Sequence, residues 1–248
     1  MDFEAQTPSF REQGYAVFDR VLTGPLLHLL RAQCDSFVAR EDARMDAAGT
    51  DRIGLSHRGK RYFANECQRE QPALHAMLFA PLMADICRAT LGEDAYFFMD
   101  QYVVKGPEQG MAFSWHQDSG YVAGNGGPVD HPPYLTCWCA LDDATIDNGT
   151  VRVIPGSHRD GLIAHERQAA TADLGVATSD SGVALAVPAG SIVAFSSLLL
   201  HATGANLTDR PRRVYLAQYT PRPLLNADGH LRRNAIAFVR GGEQVTFA

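Results

Sequence analysis

The feature that most constrains the fold is a succession of short apolar segments that begins near residue 94 and is interrupted by turn residues. We predict strands near 95–105, 111–116, 134–141, 150–154, 183–188, 191–197 and 212–220. Asn148-Gly149 and Pro188-Ala189-Gly190 lie between apolar runs and are strong turn signals. Short strands joined by such turns predict an antiparallel sandwich or barrel.

The residues before this region have the apolar periodicity of helices. Pro25 fits the first turn of a helix that extends to about residue 40, and a second helix is predicted from near Pro72 to a natural stop at Gly92. The segment 51–62 between them is predicted to be a loop rich in basic side chains. We interpret it either as a solvated surface or as a wall that attracts an anionic substrate.

A chain of 248 residues is long enough to bury a core of its own, and we expect a single domain. Its helical part is predicted at about 1–92 and its β core at about 93–222. The segment 159–181 is long and rich in small residues. We interpret it as a flexible lid or a surface insertion.

Composition narrows the class of partner. The chain has 22 basic and 28 acidic residues with no long run of one sign, which argues against nucleic acid or an anionic membrane as the main partner. It lacks an apolar run of the ~18 residues that span a bilayer, and its first residues do not resemble a signal peptide. We expect a soluble, cytoplasmic protein. Its five cysteines are an odd number without paired metal-site spacing. Cys137 and Cys139 lie on one face of an apolar strand pattern and are predicted to be buried thiols rather than a redox pair.

A candidate metal site begins in the segment Phe113 to Asp118. His116 and Asp118 lie two residues apart at a predicted strand end, where both could bind one metal ion. His201, at the end of a later apolar run, would add a second imidazole. Two imidazoles and one carboxylate on one side of an ion leave the other side open, which suits non-haem Fe(II) oxygenases.

The spacing alone is weak evidence, because His158-Arg159-Asp160 repeats it. Between Asp118 and His201 there is room for four strands to wrap around a barrel and bring the ligands together, whereas Asp160 is separated from His201 by one predicted hairpin. The second triplet also follows a turn that looks solvent-facing. His116, Asp118 and His201 are therefore the predicted ligands.

An acidic co-substrate that chelates the metal at one end would need a cation at the other, preferably a guanidinium. Arg210, Arg212 and Arg213 follow His201 closely. The alternation along this strand favours Arg212 only slightly, because either face could be the buried one. Thr203 supplies a hydroxyl group on the same side as His201.

Several motifs occur in a fixed order along the chain. They are Trp115-His116-Gln117-Asp118, Thr136-Cys137-Trp138-Cys139-Ala140-Leu141-Asp142-Asp143, Asn148-Gly149, Val153-Ile154-Pro155-Gly156-Ser157-His158, and His201 followed eleven residues later by Arg212. This ordered set resembles the phytanoyl-CoA dioxygenase family of Fe(II)- and 2-oxoglutarate-dependent oxygenases. The resemblance implies a mainly β fold with flanking helices, built on a double-stranded β-helix, which is a jelly-roll, cupin-like barrel.

The resemblance also implies roles for individual residues. By position, the predicted ligand set would bind Fe(II), and Arg212 with Thr203 would hold the far carboxylate of 2-oxoglutarate. Thr136 and Trp138 fall where family members line the co-substrate pocket, and Gln101 is a further candidate for it. Beyond the family pattern, we consider four side chains as possible substrate contacts: Tyr121, Trp115, Arg58 and Arg61.

The activity that the resemblance implies is hydroxylation of an unactivated C–H bond of a small metabolite by O2, with release of succinate and CO2. Related halogenases have a small residue in place of the carboxylate, so the presence of Asp118 favours hydroxylation. Desaturation, cyclisation and epoxidation use the same chemistry and stay open. Two alternatives are a cupin-like metalloenzyme that does not use 2-oxoglutarate, and would have no need of Arg212, and a non-catalytic metabolite-binding barrel.

Overall fold

The computed structural model of the chain describes residues 3–107, 112–124, 131–167, 174–226 and 228–245. The α-helices among these residues are α1 Thr7–Gln13, α2 Gly24–Ala48, α3 His75–Leu78, α4 Pro81–Thr90 and α5 Asp118–Gly124. The first seven strands are β1 Tyr15–Phe18, β2 Arg52–Ile53, β3 Ser56–His57, β4 Arg61–Asn65, β5 Ala95–Lys105, β6 Phe113–His116 and β7 Leu135–Ala140. The others are β8 Val151–Val153, β9 Glu166–Arg167, β10 Leu174–Gly175, β11 Val183–Ala184, β12 Ile192–Ser196, β13 His201–Thr203, β14 Arg212–Thr220, β15 Ile236–Arg240 and β16 Glu243–Gln244.

Two antiparallel sheets form the centre of the molecule. Within the described residues, the larger sheet has ten strands along the path β1-β12-β7-β14-β5-β4-β3-β2, with β15 and β16 added beside β5. The smaller sheet has the order β11-β8-β13-β6. Apolar side chains of both sheets pack against each other in one cluster, so the sheets lie face to face. The mainly β architecture with flanking helices is confirmed, although hydrogen bonds between the described strands do not close the sheets into one barrel.

Strand β14 shows how the alternation of side chains builds this arrangement. Tyr215 and Tyr219 point to the helical side of the large sheet and join the main hydrophobic core. Val214 and Leu216 point to the opposite face and pack between the two sheets. Since successive side chains on a strand alternate, Arg212 shares the second face. It is directed towards the space between the sheets.

The helical part differs from the sequence prediction in three places. Helix α2 continues to Ala48, beyond the predicted end near residue 40. The single helix predicted from Pro72 to Gly92 is wrong: Pro81 starts a new helix after a break at Ala80, whose backbone is extended. Proline disfavours a helical conformation in the residue before it, which explains the break. The predicted loop at 51–62 instead contains β2, β3 and the beginning of β4, which extend the large sheet.

The prediction that Cys137 and Cys139 are buried thiols is confirmed, and the other three cysteines are free and buried as well. None of the helices in the described ranges combines the length and the apolar composition needed to cross a membrane. The division into one domain with parts at 1–92 and 93–222 stays a prediction. Part of the segment proposed as a lid, 168–173, lies outside the described residues.

A buried carboxyl group links the helical side of the core to the large sheet. Asp100 on β5 is fully buried and accepts hydrogen bonds from the Tyr215 hydroxyl at 2.8 Å and from the Gln68 backbone N–H at 3.0 Å. Burial outweighs these bonds and raises the pKa of Asp100 to about 6. The folded state therefore favours the protonated carboxyl relative to the unfolded chain, and that stabilisation is lost as the pH rises through the folded pKa.

We expect Asp100→Asn to remove this part of the pH dependence. Between about pH 5 and about pH 7.5, ionisation of Asp100 should lower the free energy of unfolding by ~1.4 kcal/mol, and the asparagine variant should lack that decrease. Urea unfolding of both proteins at the two pH values measures it. Equal decreases in wild type and variant would show that Asp100 ionises in the folded state as easily as in water.

Candidate metal centre and adjoining cavity

The two histidines lie opposite each other on neighbouring strands of the small sheet. His116 is the last residue of β6 and His201 is the first residue of β13, and the antiparallel register pairs them directly. Their ring centroids are 4.2 Å apart. The strands between them in sequence wrap around the molecule and bring β13 back beside β6, as the strand count predicted.

Backbone carbonyl groups orient both imidazole rings. Nδ1 of His116 lies 2.7 Å from the Ser114 carbonyl oxygen, and Nδ1 of His201 lies 3.0 Å from that of Leu199. A carbonyl oxygen only accepts, so each Nδ1 carries the hydrogen and each Nε2 presents a lone pair. Both Nε2 atoms face Asp118, which is the arrangement that a metal ion requires.

Asp118 begins α5, two residues beyond His116. Its Oδ1 lies 3.5 Å from His201 Nε2 and 3.9 Å from His116 Nε2, and the ligand atoms of the three residues lie within 4.8 Å of one another. Its Oδ2 accepts hydrogen bonds from Thr136 Oγ1 at 2.5 Å and from Gln218 Nε2 at 3.2 Å. These two donors fix the carboxylate so that Oδ1 is directed to the histidines.

The electrostatics of this cluster suit a cation. Burial lowers the pKa of His116 to about 3, so its ring is neutral at physiological pH, as a metal ligand must be. Burial alone would raise the pKa of Asp118, but His201, His116 and the Thr136 hydroxyl together lower it to about 2. The site therefore offers a neutral imidazole at His116 and an ionised carboxylate at Asp118, with the His201 imidazole beside them.

The residues around the ligands hold the short loop between β6 and α5 in place. The Gln117 side chain donates to the carbonyl oxygens of Leu198 at 2.6 Å and Gly161 at 2.8 Å, which ties the loop to the turn before His201. The Gln117 backbone N–H donates to His165 Nε2 at 2.8 Å. A Cβ atom at Gly120 would come within 2.3 Å of that ring nitrogen, so glycine permits the close approach.

A cavity of about 290 Å³ extends from the cluster between the two sheets. This volume lies near the lower end of the range of about 300–1,000 Å³ that is usual for small-molecule sites. Its lining is mostly apolar and includes His116, Asp118 and His201. The main apolar side chains are Leu55, Phe63, Phe98, Met99, Val103, Phe113, Val122, Tyr134, Trp138, Val151, Phe195 and Leu216.

Arg212 lines the same cavity and lacks an anionic partner there. It is 1% exposed, and its Nη2 donates to the Gly149 carbonyl oxygen at 3.2 Å. Its Nε and Nη1 have no hydrogen-bond partner in the described part of the chain. Burial lowers the pKa of Arg212 to about 10, so it stays charged at neutral pH. A buried guanidinium with two donors free in this way can form charge-assisted hydrogen bonds with a carboxylate in the cavity.

Lys105 and Thr203 complete this end of the cavity. Lys105 is fully buried, and its Nζ donates to Thr203 Oγ1 at 2.6 Å and to the Gly204 carbonyl oxygen at 2.5 Å. Because the Thr203 hydroxyl accepts from Lys105, its own hydrogen is available for an anion in the cavity. Burial and the nearby Arg212 charge lower the pKa of Lys105 well below its usual value.

The structure places most of the sequence-predicted site residues at this cavity. Trp138, Gln101 and Tyr121 line it, and the Tyr121 ring meets His116 edge-on with centroids 5.3 Å apart. Thr136 lies behind the wall, bonded to Asp118. The guanidinium of Arg61 also lies behind the wall, 5.3 Å from the Phe113 ring centroid.

Two further candidate substrate contacts, besides Arg61, do not line the cavity. Arg58 forms salt bridges with Asp42, Asp46 and Asp51 on the outside of the molecule. Trp115 points away from the ligands towards Gly182. The competing triplet is also elsewhere, since His158 Nε2 lies 3.1 Å from the Arg11 carbonyl oxygen and the described metal-ligand cluster does not include it.

Sequence reasoning missed Gln218, Lys105 and two arginines at the far side of the cavity, Arg232 and Arg233. One signal was available for Gln218, because it shares the alternating face of β14 with Arg212. Lys105 ends a predicted apolar strand, and a charged residue there is easily taken for the strand boundary. The two arginines follow the predicted β core and gave no local pattern.

Together, the fold and the cluster define a candidate mononuclear metal site in a jelly-roll scaffold. Two imidazoles and a carboxylate occupy one side of the site, the other side opens into an apolar cavity, and a buried guanidinium stands at the cavity wall. A site of this kind can bind a chelating anionic ligand and still leave a position for a further small ligand.

Comparison with known proteins identifies the family. The family model for phytanoyl-CoA dioxygenase (PhyH) matches residues 10–214, and the chain belongs to this family. The phytanoyl-CoA dioxygenase domain-containing protein 1 homolog of Caenorhabditis briggsae is 30% identical over 157 residues, covering 58% of this chain and 53% of the relative. The ectoine dioxygenase of Halomonas elongata is 28% identical over 234 residues, covering 84% and 67%.

A solved structure agrees with this assignment. EvdO2 from Micromonospora carbonacea var. aurantiaca, complexed with 2-oxoglutarate, superimposes with a TM-score of 0.71 at 25% identity and covers 91% of this chain and 94% of its own. The jelly-roll fold predicted from the sequence is thereby confirmed. The chain spans about half the length of the first curated relatives that it matches.

Proposed function

We propose that the chain is a non-haem Fe(II)- and 2-oxoglutarate-dependent dioxygenase that hydroxylates a C–H bond of a small metabolite and releases succinate and CO2. The observation that carries the proposal is the combination of the His116, Asp118 and His201 cluster with the unpaired guanidinium of Arg212 in one cavity. Family membership and the 2-oxoglutarate complex of the similar EvdO2 structure support it.

The residues fit both groups that the reaction needs. The Nε2 atoms of the histidines and Oδ1 of Asp118 would hold the iron, which, when bound with 2-oxoglutarate, supplies the activation of O2. Arg212 would pair with the far carboxylate of 2-oxoglutarate, and the Thr203 hydroxyl would donate a further hydrogen bond to it. Trp138, whose ring centroid lies 5.4 Å from the Arg212 guanidinium carbon, limits the directions in which that group can turn.

The protein also keeps water from the reacting atoms. The cluster is bordered by Phe195, whose ring centroid lies 4.6 Å from that of His201, and by the Tyr121 ring on the other histidine. Apolar side chains form most of the rest of the wall. Such a lining favours attack on a bound C–H bond over unproductive turnover with water.

Free buried cysteines support a reducing, cytoplasmic location.

The test is a turnover assay with a metabolite panel. Enzyme, Fe(II), 2-oxoglutarate and the panel are mixed without oxygen, O2 is admitted, and the mixture is analysed for succinate and for a product heavier by one oxygen atom. We expect both to appear together and only when Fe(II) and 2-oxoglutarate are present. An oxygenated product that forms equally well without 2-oxoglutarate would identify a cupin-like metalloenzyme instead, and binding without turnover would identify a metabolite-binding barrel.

A further inference from the structure

Arg232 is a second cation at the cavity whose charge the described protein does not neutralise. Its side chain lines the cavity and contacts Asn226 Oδ1 at 3.4 Å, and it forms no salt bridge within the described ranges. The neighbouring Arg233 also lines the cavity but is paired with Glu66 Oε2 at 3.0 Å. Burial and the adjacent Arg233 charge lower the pKa of Arg232, as expected for a cation without an anion.

The backbone around Arg232 is held firmly against the large sheet. Its N–H donates to the Leu224 carbonyl oxygen at 3.0 Å, and the N–H of Asn234 donates to that of Phe98 at 3.2 Å. Strand β15, which follows, pairs with β5. The guanidinium is therefore presented to the cavity from a fixed position, although it lies beyond the residues 10–214 that match the family.

The surroundings of Arg232 are apolar on the side towards the metal site. Phe98, Met99, Val122 and Tyr134 pack in one cluster with Leu224, and the first four of these line the cavity. Tyr134 packs against Phe98, with ring centroids 5.3 Å apart, and lines the cavity together with Asp118 and Arg232. A ligand anchored at Arg232 would extend its apolar part along this cluster towards the metal.

The balance of charge indicates the class of ligand. Fe(II) with Asp118, Arg212 and Arg232 would carry three net positive charges, whereas Arg233 pairs with Glu66, which also pairs with Arg69. Binding of the 2-oxoglutarate dianion would leave one net positive charge. A substrate with a single negative charge neutralises the remainder, whereas a neutral or cationic substrate would leave a partly buried cation unpaired, which is costly.

We propose that Arg232 binds the carboxylate of the substrate, and that the substrate is a small monocarboxylic acid whose apolar body lies along Phe98, Met99, Val122 and Tyr134. This inference rests on the proposed function, because it assigns Arg212 to 2-oxoglutarate. The modest cavity volume supports a small acid. Arg232 would fix the substrate by one end and so decide which carbon atom faces the metal.

Binding experiments on matched probes test the proposal. The enzyme is loaded with Fe(II) and saturating 2-oxoglutarate without oxygen, and calorimetry compares each acid with its primary amide: hexanoate with hexanamide, benzoate with benzamide, and hydrocinnamate with hydrocinnamide. We expect at least one acid to bind about 10-fold or more tightly than its amide, because a hydrogen bond between two charged groups is stronger than one to a neutral amide.

Variants assign the preference to one side chain. In R232Q the acid-to-amide ratio should fall to about one, and in R232K it should be retained in part, because lysine keeps the charge but not the fork. The matched control is R240Q, an exposed arginine on the same C-terminal segment that pairs with Asp94. It should keep the wild-type ratio. Melting curves establish that each variant is folded.

Two outcomes would overturn the inference. One is the absence of an acid preference in every pair, and the other is an acid preference that survives in R232Q. Failure of the proposed function is detected separately, by admitting O2 to the wild-type enzyme without any probe and measuring the slow conversion of 2-oxoglutarate to succinate. Absence of succinate there would count against the dioxygenase assignment, whereas the anaerobic binding ratios would still report on Arg232.

Discussion

His201→Ala is expected to abolish Fe(II) binding and succinate formation. The variant keeps one imidazole and one carboxylate, and the remaining pair lacks the third donor that completes the open-sided set. Even the loss of an outer hydrogen-bond partner typically weakens metal binding by about 10–100-fold, so the loss of a ligand should weaken it by more than about 100-fold. Anaerobic titration with Fe(II), followed by calorimetry, measures the affinity.

The chain supplies a matched control for this experiment. His158 belongs to the second triplet with the same spacing, but the structure places it against the Arg11 carbonyl oxygen and outside the cluster. His158→Ala should therefore bind Fe(II) with wild-type affinity and stoichiometry. Wild-type iron binding by the His201 variant, or its loss in the His158 variant, would show that the cluster is not the ligand set.

Thr136→Val should weaken Fe(II) binding more than His158→Ala does and less than His201→Ala does. Thr136 does not touch the ion position; it donates to the Asp118 oxygen that faces away from the histidines. Without that bond the carboxylate has Gln218 as its remaining donor and more freedom to rotate. An intermediate loss of affinity, smaller than that of the His201 variant, would separate ligation from orientation within one site.

Local patterns were enough to predict the main strands, whereas the choice of the ligand set depended on the number of strands between its members. Apolar runs gave β5, β7, β12 and β14, and the number of predicted strands before His201 favoured Asp118 over Asp160. The break before Pro81 could also have been predicted, since proline restricts the residue before it. The apolar periodicity continues across Ala80, and for this reason the sequence prediction extended the helix through Pro81.

Other parts of the site depend on register and on the path of the chain in space. Arg212 and Arg213 could not be separated by alternation, because both faces of β14 are buried: one faces the cavity and the other the helices. Gln218 bonds to Asp118 because β14 pairs with β7 in a register that sets it beside Thr136. Arg232 reaches the cavity only because β15 returns to β5. The positions of Arg212, Gln218 and Arg232 in the site all depend on contacts between residues distant in sequence.

Arg212→Leu is expected to raise the KM for 2-oxoglutarate by about 30-fold or more, with little change in the protein's own stability. Removing one partner of a buried, hydrogen-bonded charge pair costs about 2–5 kcal/mol of binding free energy. In the absence of 2-oxoglutarate the guanidinium has two unpaired donors and no carboxylate beside it in the described structure, so its loss removes an unfavourable buried charge. The melting temperature of the variant should therefore equal or exceed that of wild type.

The neighbouring arginine should behave in the opposite way. Arg213 faces the helical side of β14 and pairs with Asp142 and Asp35, each at 2.8 Å. Arg213→Leu removes the short ion pair of the half-buried Asp142 and leaves it Arg31 at 3.9 Å as a cation, so it should lower the melting temperature and leave the KM for 2-oxoglutarate near that of wild type. Initial rates of succinate formation against 2-oxoglutarate concentration, together with melting curves, measure both effects. An unchanged KM in the Arg212 variant, with an increased one in the Arg213 variant, would mean that the co-substrate carboxylate binds on the other face of the strand; the orphaned donors of Arg212 would then need a different anion.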